Sequence, residues 1–221
     1  MVSSKRATGK RWGWWAAWGT IVVLSVGISL LAFPRYLPFV SGEAQIPLNP
    51  GFPDSHAFVI ALHAIPGGLA LLIGPFQFLA SLRRRYPAAH RLAGRVYLVC
   101  VAAGGVAGLF AGVMAVTGSA AQVGFILLAV LWLYSGFKAY TSIRRGNVQL
   151  HRIWMIRNFA LTFAAVLLRG FLVAGTALTP LAFDELYTIS AWSSFSVSLV
   201  FAEWFIVQRT LGPLTQRQPQ R

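Results

Sequence analysis

Residues 93–116 read AGRVYLVCVAAGGVAGLFAGVMAV, and among these 24 positions Arg95 is the only charged one. A helix rises about 1.5 Å per residue, so the stretch extends roughly 36 Å, enough to cross a hydrocarbon core of about 30 Å with some tilt. Five more stretches of this kind lie at 14–33, 57–80, 121–142, 153–176 and 187–208. Together they predict an all-α fold, a six-helix transmembrane bundle (14–208) with helices two to five as its core. Only 11% of the 221 residues are charged, against about a quarter in a soluble domain.

The net charge of +14 raises the question of a nucleic-acid partner, and the placement of the charges answers it. Basic residues fall in short segments between the apolar runs, with no contiguous basic face on a soluble domain, so nucleic acid is excluded as a partner. With the basic N-terminus (1–13) inside, seventeen of the nineteen Lys and Arg residues fall on the cytoplasmic side and only Arg35 and Arg169 on the other. Four of the five acidic residues (Glu43, Asp54, Asp184, Glu185) fall outside. The positive-inside rule then predicts a multi-pass protein of the inner (plasma) membrane with both termini cytoplasmic. The apolar run after the N-terminus is too long for a signal-peptide core and lacks a small-residue cleavage site, so it reads as an uncleaved first helix. Trp12, Trp14, Trp15 and Trp18 form its interfacial belt. The Pro- and Gly-rich stretch from Pro34 to Ser55 reads as an outer loop, and 209–221 as a polar cytoplasmic tail. Cys100 stands alone in an apolar run and reads as a small buried residue.

A weak repeat carries the first chemical expectation. Arg84-Arg85 precede His90-Arg91, and Arg144-Arg145 precede His151-Arg152, at nearly equal spacing before the third and fifth helices. Two helix hairpins related about an axis normal to the membrane would bring both corners to one depth. In HRLAGRVY, His90, Gly94 and Tyr97 share one helix face, and Gly94 leaves room for a flat ring; HAIPGG repeats the pattern with His63 and Gly67. HRIWMIRN places Asn158 seven residues after His151. Two histidines at equal depth suit axial ligation of haem iron, with arginines on its propionates. The competing reading makes His90, His151 and their arginines interfacial groups beside lipid phosphates.

Two further polar groupings are visible. Gln77, Arg95, Tyr134, Lys138, Arg157, Asn158 and Glu203 fall within a few turns of the cytoplasmic side. Glu203 is the only carboxylate inside an apolar segment, so Arg157 or Arg95 is its expected partner. That pair serves either to pin the sixth helix or to relay protons or hold a quinone. Toward the outer side, Arg169 is within reach of His56, His63 and Gln122, which describes either an anion or headgroup site or an arginine snorkelling to the interface. The small residues of the third helix, including Gly104, Gly105 and Gly108, permit close helix contact.

The strings HAIPGGLALLIGPFQF (63–78), HRLAGRVYL (90–98) and HRIWMIRNFALTFAAVLLR (151–169), with Glu203, resemble a bacterial family of predicted multi-pass membrane proteins of unknown function. The resemblance covers about residues 56–208 and implies a membrane location without an activity. The layout is also distantly similar to the cytochrome b561 type, which implies a four-helix core holding haem b. His90 and His151 match an inner haem pair and His63 half of an outer one; the segment 121–142 contains no histidine, which leaves a second haem without its ligands.

The leading expectation is therefore a redox component binding haem b or a quinone near the cytoplasmic face. His90 and His151 are the expected iron ligands, and Arg91, Arg95, Arg152, Arg157, Asn158 and His63 the accompanying binding residues. Gln77, Glu203 and Arg169 are the expected buried polar groups. The alternatives are an accessory subunit packed in lipid against other subunits of a membrane complex, and a small proton-coupled transporter using His63, Gln77 and Glu203.

Overall fold

The computed structural model describes residues 3–41 and 56–211. They form seven helices: α1 Ser3–Ser41, α2 Ala57–Gln77, the short α3 Ala80–Arg85, α4 Pro87–Val113, α5 Ser119–Arg144, α6 Val148–Leu178 and α7 Phe183–Ile206, with a π-helical turn at Val207–Leu211. Six are long and apolar enough to cross a membrane, and α3 is the exception. The two ends of the bundle differ. The basic end gathers the C-termini of α2, α5 and α7 and the N-termini of α4 and α6; the far end holds the α4–α5 and α6–α7 turns.

Most helices run beyond the apolar segments that announce them. Hydropathy marks only the part that suits hydrocarbon, while the backbone continues until a cap or breaker stops it. α4 begins at Pro87, whose missing N–H costs nothing at a helix start. α6 is capped by Asn147, whose side chain accepts from the Leu150 amide at 2.9 Å. Glu185 accepts from the Ala182 amide at 3.2 Å and closes the first turn of α7. α1 continues through Pro34 to Ser41, so the expected outer loop begins later than Pro34. The rest of that loop (42–55) and the tail from 212 lie outside the described residues. The segment 57–80 divides instead, α2 ending at Gln77 and the basic α3 following.

α2, α4, α5 and α6 pack in that order around a common core, α1 lies along α2, and α7 lies against α6 and α5. The ring closes unevenly. The α2–α4, α4–α5 and α5–α6 seams are extensive, whereas α2 and α6 meet lightly and α1 reaches across to α6 beside them. In lipid, close helix approach rests on small residues and complementary packing rather than on expulsion of water. α7 presents Ser190, Ser194, Ser198 and Ala202 on one buried stripe. α1 buries Ser25, Ser29, Ala32 and Tyr36, and the Ser29 hydroxyl reaches the Gly68 carbonyl of α2 at 2.9 Å. Trp18 anchors the other half of α1 by donating to the Pro75 carbonyl at 3.2 Å.

Gly74 shows how tight the α2 contact is, because a Cβ there would clash with the edge of the Phe159 ring and stand 3.3 Å from Tyr97. Gly74→Val should destabilise the fold by roughly 1–3 kcal/mol through overpacking. Gly170→Val, where an added Cβ meets nothing within 4 Å, should change stability by no more than about 0.5 kcal/mol. Equilibrium unfolding in mixed detergent micelles measures both.

Candidate functional site

The polar centre of the bundle lies where the two histidine-led strings meet. Tyr97 and Asn158, each seven residues after its histidine, are both fully buried. They bond directly across the core, Tyr97 O–H donating to Asn158 Oδ1 at 2.7 Å. The contacts run around a closed loop. Trp132 Nε1–H donates to Thr162 Oγ1 at 2.9 Å, the Thr162 and Tyr97 hydroxyls stand 2.8 Å apart, and the Thr162 hydroxyl also reaches the Asn158 carbonyl at 3.0 Å. Asn158 Nδ2–H returns to the Trp132 carbonyl at 2.8 Å, its second hydrogen going to Ser135 Oγ at 2.8 Å. A buried polar group left without a partner is expensive in hydrocarbon, so this loop fixes the mutual rotation of α4, α5 and α6.

Toward the far end from this loop lies a cavity of about 870 Å³. Trp132 and Thr162 form part of its lining, together with His63, Arg169 and Tyr187, and α1 contributes Ala32 and Tyr36. His63 is held edge-on to Trp132, ring centroids 6.2 Å apart, and its Nδ1–H donates to the Gly104 carbonyl at 2.7 Å. That bond leaves Nε2 carrying a lone pair, with no hydrogen-bond partner among the described residues. The ring fits because α4 is bare at Gly108, where a Cβ would stand 2.8 Å from His63 Nδ1. Arg169 spends one N–H on the Ala165 carbonyl, 2.8 Å away. No carboxylate among the described residues pairs with it, and it lies within electrostatic range of His63.

At the basic end, Arg83, Arg91 and His151 lie within electrostatic range of His90. Burial, followed by the charges of Arg152 and Arg84, pushes the Arg83 guanidinium below its ordinary pKa. His151 Nδ1–H donates to the Ala139 carbonyl at 2.9 Å, whereas His90 Nδ1 is buried with no partner. Beside the two glycines that follow His90 and His63, side chains stand at ordinary contact distance. Gln77 Oε1 stands 3.6 Å from the Cβ position of Gly94, and Trp132 stands 3.9 Å from that of Gly67.

The remaining polar residues separate into different environments. Gln77 is buried at the α2–α4 contact with Oε1 unpartnered. Arg91, Arg95 and Arg152 are exposed. Glu203 was expected inside the bundle, but its side chain is 47% exposed; it faces outward because its partner Arg157 does, Nε to Oε1 2.6 Å and Nη2 to Oε2 3.0 Å. The Arg157 guanidinium also lies over the Trp154 ring at 4.8 Å. Of the residues expected around Arg169, His63 shares its cavity, whereas His56 and Gln122 do not line it. Gln122 closes the α4–α5 turn through the Val113 and Ala115 carbonyls. Trp132, Ser135 and Thr162 were missed by the sequence reading. A tryptophan in mid-span is a usable signal, since its N–H needs an acceptor there.

Tyr97→Phe should cost about 1 kcal/mol, within the range for hydrogen bonds between membrane helices. Combined with Asn158→Ala, it should deviate from additivity by at least about 0.5 kcal/mol. Unfolding titrations of both single mutants and the double mutant check this, and strict additivity would contradict the closed loop.

The profile of the family described as "Predicted membrane protein (DUF2306)" matches residues 60–206. Comparison with curated proteins and with solved structures returns no match. The matched span takes in nearly all of α2 and the whole of α3 to α7, and the chain belongs to the DUF2306 family of predicted membrane proteins.

Proposed function

We propose that this protein binds a lipophilic small molecule within the membrane, in the cavity between the polar loop and the far end of the bundle. The observation that carries the reading is the cavity itself. Its volume of about 870 Å³ falls in the range of small-molecule sites, roughly 300–1,000 Å³, and its apolar walls carry a few convergent polar groups. His63 supplies an acceptor and Arg169 several donors, a set that can orient a polar head while the walls hold an apolar body. The redox expectation put a quinone near the basic end; the reading proposed here uses the opposite half. We place the basic end in the cytoplasm of a plasma membrane, so the cavity belongs to the outer leaflet.

A second reading keeps haem at the basic end, as the likeness to the cytochrome b561 type suggests. One observation favours it: His151 donates from Nδ1 to a backbone carbonyl, the tautomer that leaves Nε2 for a metal. Its ligands would be His90 and His151. In protein made with ample haem, a reduced-minus-oxidised spectrum should then show bands that His90→Ala and His151→Ala each abolish. A spectrum without bands removes this reading.

The cavity reading is checked by what the protein retains. Purified in mild detergent and extracted with organic solvent, it should yield a lipophilic molecule at close to one per chain. Ala165→Trp, which fills the cavity from its own wall, should lower that yield at least tenfold while unfolding cooperatively. Equal yields from the two proteins would overturn the proposal.

A further inference from the structure

We infer that the ligand of this cavity is a single-chain amphiphile with an anionic head, and that Arg169 is the residue that selects it. The inference rests on the cavity reading above and adds the chemistry of the head. Arg169 lies nine residues before the end of α6 at Leu178, about 13 Å along the helix. His63, six residues into α2, sits about 9 Å from the matching end. A guanidinium at this depth needs a partner, because an uncompensated charge inside the membrane is costly. Among the described residues it has one neutral acceptor, the Ala165 carbonyl, and no carboxylate. Arg35 also lines the cavity but has an interaction of its own, so the charge that bears on the ligand is that of Arg169. Its guanidinium makes this part of the wall electropositive, and an anion is the ligand that completes it.

The size of the apolar space sets the rest of the class. A cavity of about 870 Å³ holds one ligand of modest size, which favours a single acyl or isoprenoid chain over a two-chain lipid. His63 Nε2 adds a second condition. It accepts a hydrogen bond, so a head that keeps an O–H beside its anionic oxygen satisfies both residues. A phosphate monoester carries that hydrogen more readily than a carboxylate does, and both share the anionic oxygen that Arg169 takes.

The test uses the purified full-length chain in detergent, washed until organic extraction yields no retained lipophilic molecule, and four probes: oleyl phosphate, oleate, oleyl alcohol and decylubiquinone. Calorimetric titration should give oleyl phosphate an affinity at least tenfold above oleyl alcohol, with oleate between them. Arg169→Gln should bring the three oleyl compounds within about threefold of one another, leaving oleyl alcohol unchanged. Arg169→Lys, which keeps the charge, should restore much of the preference. Oleyl alcohol or decylubiquinone binding as tightly as oleyl phosphate would overturn the inference. If that neutral binding is lost in Ala165→Trp, the cavity reading stands while the anionic class falls. If no probe binds the native chain, both fall. Oleate matching oleyl phosphate would keep the anionic class and remove the His63 contact.

Discussion

The closed circuit of hydrogen bonds among Trp132, Thr162, Tyr97 and Asn158 is the constraint on which the rest of the bundle depends. Membrane helices gain little from burying apolar surface against one another, since lipid is equally apolar, so their relative rotation has to be set by packing shape and polar contacts. Here a single loop joins α4, α5 and α6, and every polar atom in it has a partner. A rotation of any one helix by a fraction of a turn would strand a donor or an acceptor in a region without water. Gly74 and Gly136 let neighbouring side chains close around the loop, the first against Phe159 and Tyr97, the second against Asn158.

From this fixed point the two halves of the molecule diverge. Toward the basic end, Gln77 stands beside Gly94, and His90 lies near Arg83, Arg91 and His151. Toward the far end the helices enclose open volume, because the light α2–α6 seam is bridged by α1, whose inward residues include Ser29 and Ala32. Thr162 belongs to both regions, as a member of the loop and a residue lining the cavity. The hydrogen-bonded loop thus borders the cavity, an arrangement suited to holding a ligand head at a defined depth.

The architecture was largely legible in the sequence, since six apolar runs with charged connections admit few other structures. The helix ends were less so, because capping by Pro87, Asn147 and Glu185 acts outside the apolar windows. The site was legible only in fragments. The spacing of HRLAGRVY and HRIWMIRN pointed to Tyr97 and Asn158, yet their contact depends on helix rotation, which periodicity cannot fix. The α4 glycines read as packing residues, and Gly104 and Gly108 do serve packing, but Gly108 also admits the His63 ring and Gly104 the Trp132 ring. Arg157 and Asn158 are adjacent in sequence and yet face a lipid-side ion pair and the buried core respectively, a division set by a 100° step around the helix. Glu203 follows Arg157 outward for the same reason.

The central claim is that the space between Thr162 and Arg169 is a ligand site rather than a packing defect. A cryo-EM map of the protein in native lipid nanodiscs, sharp enough to place side chains, tests this most directly. The account predicts elongated density filling the cavity, with its head within hydrogen-bond distance of Arg169. An empty or collapsed cavity, or Arg169 turned away onto a carboxylate of its own chain, would contradict it.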